Sequence, residues 1–301
     1  MMRSNLQTVR RVQAQPLAVN RRMPPTYPGL QVSPLGESEA AEVYRFLSRN
    51  PLRTFSLMGM MLRNGLTGPQ NRGTFYGCRD QLGTLRGVAL IGHFTLFEAP
   101  QAKALKAFAA LARVHPDIHL LLGEQADIRR FCAYYGSNRG APPQSSYTLF
   151  VADSFPEVKL PAPLRRATMD DLDAVVAAHA QGTLAEKGKN PLQIEPDAFR
   201  RRCAQRIEQQ VTWIAGTEGE LVFKAEMICA SPDVAYLEGI WVPPTLRRSG
   251  YGQLYLAALG ALLLEKSRYV CLLANEAQPA RLAFYKKAGF TSAGHFLANC
   301  V

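Results

Sequence analysis

The feature that most restricts the fold of this chain is a turn between an apolar strand and a long apolar helix. The strand ends at Val242, the turn contains Gly250 and Gly252, and the helix continues to about residue 266. Glycine has no Cβ atom, so the backbone can turn tightly there and approach a ligand closely. The first-turn N–H groups of the helix and the positive end of its dipole favour an anion. The sequence therefore predicts a strand–loop–helix unit that binds a pyrophosphate.

Two arginines, Arg247 and Arg248, precede the glycines, where they would strengthen charge-assisted hydrogen bonds to that anion. Two other kinds of phosphate loop do not fit. A dinucleotide fingerprint needs a third glycine where this chain has Tyr255, and a P-loop needs Gly-Lys-Ser/Thr after its four-residue gap.

The turn resembles the acetyl-CoA signature of the GNAT superfamily of N-acetyltransferases, Gln/Arg-x-x-Gly-x-Gly/Ala, which Arg247, Gly250 and Gly252 satisfy. A second motif of that family is similar to residues 275–290. Its matching positions are Asn275, Ala280, Tyr285, Gly289 and Phe290. The two motifs stand in the family's order, about 35 residues apart, on a predicted loop–helix–strand–helix. The resemblance implies acetyl-CoA as co-substrate, held by the loop Arg247, Arg248, Ser249, Gly250, Tyr251 and Gly252.

Composition and breaker residues divide the chain into three parts. Residues 1–34 are basic and rich in Pro, Gln and Asn, with five arginines and no acidic residue before Glu37, so we expect a disordered arm. A linker at residues 161–163 separates residues 35–158 from residues 159–301. The resemblance implies a mixed α/β (α+β) fold of two GNAT-like domains, each a mostly antiparallel mixed sheet flanked by helices, with the catalytic domain in residues 159–301.

Hydrophobic periodicity predicts the same order of elements in part of both halves. The predicted strands are residues 74–79, 87–97, 118–123, 147–152, 164–167, 211–215, 221–229, 234–242, 269–274 and 291–298. The predicted helices are residues 37–48, 53–64, 101–114, 126–135, 197–209, 250–266 and 278–287, with a further helix that Thr168 caps. The first half carries Phe97-Glu98-Ala99-Pro100 at the position of the glycine turn, and Glu98 would repel a pyrophosphate. We therefore expect the first half to bind no acetyl-CoA and to pack on the other half or wall its acceptor site.

Acetyl transfer requires that the enzyme bind and orient the thioester. The resemblance assigns this role to the strand before the loop. The main chain of Ile240, Trp241 and Val242 would pair with pantetheine like an added strand and polarise the thioester carbonyl. Trp241 also fits the role of an ordinary core anchor. Asn275 would bond the pantetheine arm, and the alternative is a cap for the following helix.

A base must take the proton of the amine, and Glu238 is the first candidate. Strand alternation places four side chains on one face: Tyr236, Glu238, Ile240 and Val242. Glu238 then lies about 6–7 Å before the thioester contacts, which suits a base acting directly or through one water. The alternative is an ion pair with Lys224 or Arg268. Glu226, on the neighbouring strand, is the second candidate base.

The acid for the leaving thiolate is assigned through the resemblance to Tyr285, whose high ordinary pKa suits a proton donor. The alternative is an interfacial aromatic side chain beside Phe284. In this family acceptor selectivity lies in the first helices and the loop between them. That loop corresponds here to about residues 180–196, where Gly182, Gly188 and Pro191 predict a mobile segment.

Composition excludes several other classes of protein. No apolar run reaches about 18 residues, so we expect no membrane span. The six cysteines show no paired spacing, which favours a reducing cytoplasm, and the five histidines form no metal set. The net charge is +11, and the basic arm holds nearly half of the excess, with too few aromatic residues among its charges to favour nucleic-acid binding.

The function expected from these features is direct transfer of an acetyl group from acetyl-CoA to a primary amine of a small molecule or peptide, without a metal. The alternative is a non-catalytic acyl-CoA-binding regulatory module, which would keep the phosphate loop but need no base. The sequence does not define the acceptor, and it is compatible with a homodimer.

Overall fold

The computed structural model describes residues 28–115, 118–136, 144–217 and 220–300. The first half contains strands β1 (Leu30–Pro34), β2 (Gly73–Asp80), β3 (Leu85–Gly92), β4 (Phe94–Glu98), β5 (Leu120–Glu124) and β6 (Gln144–Ala152). Its helices are α1 (Ala40–Leu47), α2 (Pro51–Asn64), α3 (Ala102–Arg113) and α4 (Gln125–Tyr135).

The second half has strands β7 (Leu164–Arg166), β8 (Thr212–Thr217), β9 (Glu220–Ala230), β10 (Val234–Trp241), β11 (Tyr269–Asn275) and β12 (Thr291–Cys300). Its helices are α5 (Leu172–Lys187), α6 (Pro191–Ile194), α7 (Pro196–Glu208), α8 (Tyr251–Leu264) and α9 (Pro279–Lys287). Thr168 stands at the N-cap position ahead of α5, as the sequence predicts, and forms a capping box with Asp171. Within the described ranges, no helix is long and apolar enough to cross a membrane.

The twelve strands form a single sheet in the order β1-β2-β3-β4-β5-β12-β6-β11-β10-β9-β8-β7. Only β4–β5 and β10–β11 are parallel among the described pairs, and the remaining neighbours are antiparallel. Helices α8 and α9 pack on one face of the second half around Tyr255 and Tyr285, while α5 and α7 pack on the other. The predicted mixed, mostly antiparallel sheet flanked by helices is confirmed.

The two halves exchange their last strands. β6 ends the first half but pairs with β11 of the second half, from Tyr147↔Asn275 to Ala152↔Val270. β12 ends the second half but pairs with β5 of the first, where Ala298 lies opposite Leu122. The predicted boundary between residues 158 and 159 therefore lies in the loop between β6 and β7, whereas the sheet continues across it.

This exchange predicts that the halves depend on each other for folding. Residues 28–158 and residues 159–301, expressed separately, are each expected to be insoluble or unfolded, because each lacks the strand that covers its edge at β5 or β11. Co-expressed, the two fragments should associate and co-purify. Circular dichroism and size-exclusion chromatography measure both outcomes, and a stable, monomeric fragment 159–301 would contradict the prediction.

Three expectations about local structure are wrong. Residues 30–34 of the predicted arm form β1, an edge strand paired with β2 that buries Val32, while residues 1–27 lie outside the described part. The strand predicted at residues 87–97 is a hairpin of β3 and β4, because the chain reverses at Gly92, where a Cβ atom would lie 2.4 Å from the Arg72 carbonyl oxygen. The segment predicted to be a mobile loop at residues 180–196 is mostly helical: α5 continues through Gly182 and ends at Gly188, whose φ is +67°.

Candidate active site

A cavity of about 330 Å³ opens where β10 and β11 separate. These parallel strands pair from Val234↔Tyr269 to Leu237↔Leu272, and no pairing continues beyond that point in the described strands. The second half contributes the polar wall of the cavity, including Glu238 and Tyr285. The first half contributes an apolar wall, which includes Phe94, Leu120, Leu122 and Tyr147. Both halves thus line this cavity, and the role of the first half as a wall of the acceptor site remains a prediction.

A β-bulge at Gly239 distorts β10 inside the cavity. Glu238 lies opposite Glu226 on β9, but Trp241 lies opposite Lys224, so β10 has one extra residue between these pairs. Gly239 has a φ of +60°, a left-handed conformation that glycine adopts without Cβ strain.

Because of this bulge, the prediction that four alternating residues of the strand share one face is wrong. Tyr236 and Glu238 lie on the face that packs towards α2, α5 and α7, but Ile240 and Val242 pack into the core beneath α8. Trp241, expected on the opposite face from Glu238, shares its face instead and is 9% exposed. Simple alternation fails here because the extra residue reverses the direction of each following side chain.

The predicted coenzyme loop lies at the N-terminus of α8. Gly250 is the N-cap residue and has a φ of +89°. Gly252 has ordinary backbone angles, but a Cβ atom there would lie 2.8 Å from Val242 Cγ2 and 2.9 Å from Phe284 Cε2. The two glycines therefore serve different purposes: one makes the turn, and the other allows close packing of α8 on the strand and α9.

The amides of this loop are free to bind an anion. Among the residues that the structure describes, none accepts a hydrogen bond from the main-chain N–H groups of residues 248–253. Arg247 and Arg248 are exposed beside them, although the Arg247 Nε also donates to the Val242 carbonyl at 3.3 Å. The Ser249 hydroxyl donates to the Leu246 carbonyl at 2.6 Å, which stabilises the loop. Consecutive free amides, a helix N-terminus and two guanidinium groups suit a pyrophosphate.

Asn275 and Tyr285 reach the same region from β11 and α9. The Asn275 Oδ1 accepts a hydrogen bond from the Ala277 amide at 2.9 Å, so this side chain stabilises the turn that leads to α9. Tyr285 lines the cavity and is 4% exposed. Burial raises the pKa of Tyr285 to about 12, so its phenol keeps its proton at neutral pH.

A buried charge cluster lies under the bulge. Lys224 and Glu226 are both 0% exposed, and Lys224 Nζ lies 2.7 Å from Glu226 Oε1. Lys224 also donates to the Gly239 carbonyl at 3.4 Å, which ties the cluster to the bulge. Arg206 of α7 joins Glu226 to Glu238, whose Oε1 lies 3.3 Å from Arg206 Nη2. Glu238 therefore pairs with Arg206 and not with Lys224 or Arg268, and it remains 38% exposed at its side chain.

This cluster explains why the two candidate bases differ. Burial by itself raises the pKa of Glu226, but Lys224 and Arg206 hold it well below its usual range. A carboxylate so strongly stabilised in its charged form is a poor proton acceptor. Glu238 pairs with Arg206 at 3.3 Å, lines the cavity and is 38% exposed at its side chain, so a bound ligand could reach it.

Sequence reasoning missed His179 and Arg206, which come from α5 and α7. His179 Nδ1 lies 3.0 Å from Glu226 Oε1 and 3.1 Å from Lys224 Nζ. Burial, and then Lys224, lower the pKa of His179, so this imidazole is neutral near pH 7. One signal was present in the sequence: Lys224 and Glu226, two residues apart on a buried strand, share a face and need charged partners.

Because His179 is neutral in the native protein, we expect the stability of the protein to depend on pH. As the pH falls below about 6.5, the ordinary pKa of histidine, the unfolded chain takes up a proton that the native His179 does not, so the free energy of unfolding decreases. The melting temperature is expected to fall from pH 7.5 to pH 5.5, and to fall less in His179→Gln. The control is His295→Gln, a change at a histidine with a side chain 61% exposed. An identical pH dependence in wild type and His179→Gln would contradict this assignment.

The gap beyond the last paired residues of the parallel strands β4 and β5, in the first half, is filled. Arg53 of α2 lies against β4 and β5, where its guanidinium pairs with Glu124 at 2.8 Å, with Glu98 at 3.6 Å and with Asp127. Only about 10 Å³ of space remains there. Glu98 is 3% exposed, and burial raises its pKa. The Glu98 carboxyl group accepts a hydrogen bond from the Asn50 side chain at 3.2 Å and lies 3.6 Å from the partly exposed Arg53.

Comparisons with known proteins agree with this geometry. Residues 208–292 match the family model described as "Acetyltransferase (GNAT) domain". No curated protein matches the chain by sequence. Among solved structures, a GNAT-family acetyltransferase from Colwellia psychrerythraea is similar at 13% identity and a TM-score of 0.56, covering 90% of this chain and 99% of its own.

Two further structures are similar over the same share of the chain. A Drosophila protein has 15% identity and a TM-score of 0.61, with 90% of this chain and 98% of that chain covered. A tandem GNAT protein from the clavulanic acid biosynthesis pathway has 16% identity and a TM-score of 0.54, with the same coverage. Residues 208–292 of the second half therefore match a GNAT acetyltransferase domain, and the described chain as a whole has a fold similar to that of these structures, one of which is a tandem GNAT protein.

Proposed function

We propose that this enzyme transfers an acetyl group from acetyl-CoA directly to the nitrogen of a primary amine. The observation that carries the proposal is the proximity of two features on one strand–loop–helix unit. The loop of residues 247–252 offers free amides to a pyrophosphate, and the cavity beside the preceding strand contains a carboxylate and a protonated phenol.

The coenzyme would lie along the opening between β10 and β11. Arg247, Arg248 and the amides of Ser249, Gly250, Tyr251 and Gly252 would bind its pyrophosphate. The main chain of Ile240, Trp241 and Val242 would hold the pantetheine and the thioester carbonyl. The Asn275 amide group would bond the pantetheine arm while its Oδ1 stabilises the turn.

The reaction then needs one proton acceptor and one proton donor. The amine nitrogen attacks the thioester carbonyl carbon, the carbon–sulfur bond breaks, and the acetyl group passes to the nitrogen. Glu238 would take the amine proton, directly or through a water. Tyr285 would give its proton to the leaving sulfur and regain one afterwards.

The same features assign different roles to the two halves. Residues 159–301 would supply the coenzyme loop and both catalytic side chains, and residues 35–158 would wall the acceptor site without binding acetyl-CoA. We place the protein in the cytoplasm, because the five cysteines with described side chains are free thiols. No group of three or more potential metal ligands occurs among the described residues, and the proposed reaction uses none.

Thiol release from acetyl-CoA, measured against a panel of primary amines and peptides, tests the proposal. We expect amine-dependent thiol release together with the acetylated amine, identified by mass spectrometry. A non-catalytic regulatory module would instead bind acetyl-CoA in calorimetry and transfer nothing to any amine. Absence of both binding and transfer would reject both functions.

A further inference from the structure

The strand exchange gives the cavity an apolar floor that extends into the first half. Ala298 of β12 lies opposite Leu122 of β5, so both side chains point to one face of the sheet. Tyr147 of β6 lies opposite Phe296, two residues before Ala298, and therefore points to the same face. Leu273 of β11 shares this face because it lies opposite Leu149, two residues after Tyr147.

All four side chains line the cavity and are only partly buried. We call this set the apolar floor: Leu122, Tyr147, Leu273 and Ala298. Neighbouring strands lie about 4.8 Å apart, so the floor extends about 14 Å from β11 across β6 and β12 to β5. Phe94, 38% exposed, lines the cavity at the first-half end of this surface. Leu122, Tyr147 and Leu273 pack against the core from below, and the part of the floor that remains exposed in the cavity offers an apolar surface to a ligand.

The charged wall of the cavity offers no unpaired carboxylate among the described residues. Glu186 pairs with Arg281 at 3.3 Å, and Glu238 pairs with Arg206 at 3.3 Å. Glu226 pairs with Lys224 at 2.7 Å and with Arg206. The three carboxylates are therefore matched by three cations, and the wall gives a polycation no surplus negative charge.

We propose that the acceptor is a monoamine with an aromatic or alkyl body that lies on the apolar floor, with its amino group at Glu238. This inference rests on the proposed function and narrows its substrate class. It disfavours polyamines and aminoglycosides, because a second ammonium group would have to lie against Leu122 and Ala298 without a counter-charge.

A matched pair of amines tests the substrate class. From propylamine to hexylamine, kcat/KM is expected to rise about fourfold for each methylene that becomes buried. 1,6-Diaminohexane has the same length as hexylamine but carries a second charge, and its kcat/KM should be at least about tenfold lower. Equal or better transfer to the diamine or to spermidine would overturn this inference and leave the acetyltransferase proposal intact. Transfer to no amine would reject the proposed function itself.

A variant of the floor tests the position of the amine's body. Ala298→Phe adds bulk to the floor, so kcat/KM with hexylamine should fall at least about tenfold, and with ethylamine by much less. The control is Leu82→Phe at an apolar position that is 89% exposed, in the turn between β2 and β3, and it should change neither value. Acetyl-CoA affinity reports correct folding of each variant. If Ala298→Phe does not fold, Leu122→Asn is used in its place. An equal decrease in kcat/KM with hexylamine and with ethylamine, in a folded variant, would overturn the inference.

Discussion

Acetyl-CoA binding is expected to weaken by about 100-fold or more when Gly250 is replaced by valine. The residue has a φ of +89°, and a β-branched side chain in that region costs about 1–3 kcal/mol. Relief of that strain would displace the amides of residues 248–253 that would bind the pyrophosphate, and each lost charge-assisted hydrogen bond costs about 1.5–3 kcal/mol more. Isothermal titration calorimetry with acetyl-CoA measures the change.

Gly83→Val is the matched control for backbone strain. Gly83 lies in the first half and has a φ of +79°, and a Cβ atom at this position would meet no neighbouring atom within 4 Å. The same strain there should lower the stability of the protein but leave acetyl-CoA affinity unchanged. If Gly250→Val binds acetyl-CoA as tightly as wild type, the pyrophosphate does not lie on this loop.

Glu238→Gln is expected to lower kcat/KM by roughly 10²–10⁴ at neutral pH while acetyl-CoA affinity stays nearly unchanged. Glutamine keeps the size of the side chain and can still contact Arg206, which lies 3.3 Å from the carboxylate, but it cannot accept the amine proton. Raising the pH should restore part of the rate, because the acceptor amine then loses its proton without help. Steady-state kinetics across a pH series, with a verified acceptor, measures both effects.

Two further variants separate the possible causes of a lost rate. Tyr285→Phe should lose rate with little rescue at high pH, because the missing proton belongs to the leaving thiolate. Glu226→Gln should mainly destabilise the fold, by about 3–5 kcal/mol, because Lys224 and Arg206 lose their buried counter-charge. If Glu238→Gln keeps full activity and a stably folded Glu226→Gln loses activity, the base is Glu226 on β9. Full activity in both variants would mean that water or the substrate takes the proton.

Much of the second half could be predicted from the sequence because its signals are local. The capping box of Thr168, the strand before residue 242 and the apolar helix after Gly250 each depend on residues close together in the chain. The loop at residues 247–252, for which coenzyme binding is predicted, stands out in the sequence for the same reason, since glycine spacing and adjacent arginines determine its backbone and charge. The roles of Glu238, Tyr285 and Asn275 remain predictions that the variants above address.

The first half was harder to predict, because its signals are weaker or distributed. The reversal at Gly92 is enforced by contact with Arg72, some twenty residues earlier in the chain, and no turn dipeptide marks it. β1 was hidden in a polar, basic segment, because an edge strand needs only one buried residue, Val32, to be held against β2.

By itself the sequence determined the order of most strands and helices in the second half and the glycine turn before α8, because hydrogen bonding and φ preferences act over a few residues. Only the tertiary structure decided which side chains meet. The bulge at Gly239 reversed the faces of β10, and the charge cluster brought Arg206 to Glu238 from another helix. The exchange of β6 and β12 then formed the apolar floor from strands of both halves, within the candidate active-site cavity. Such contacts join segments far apart in the chain, and their free energy depends on packing and desolvation that no local pattern encodes.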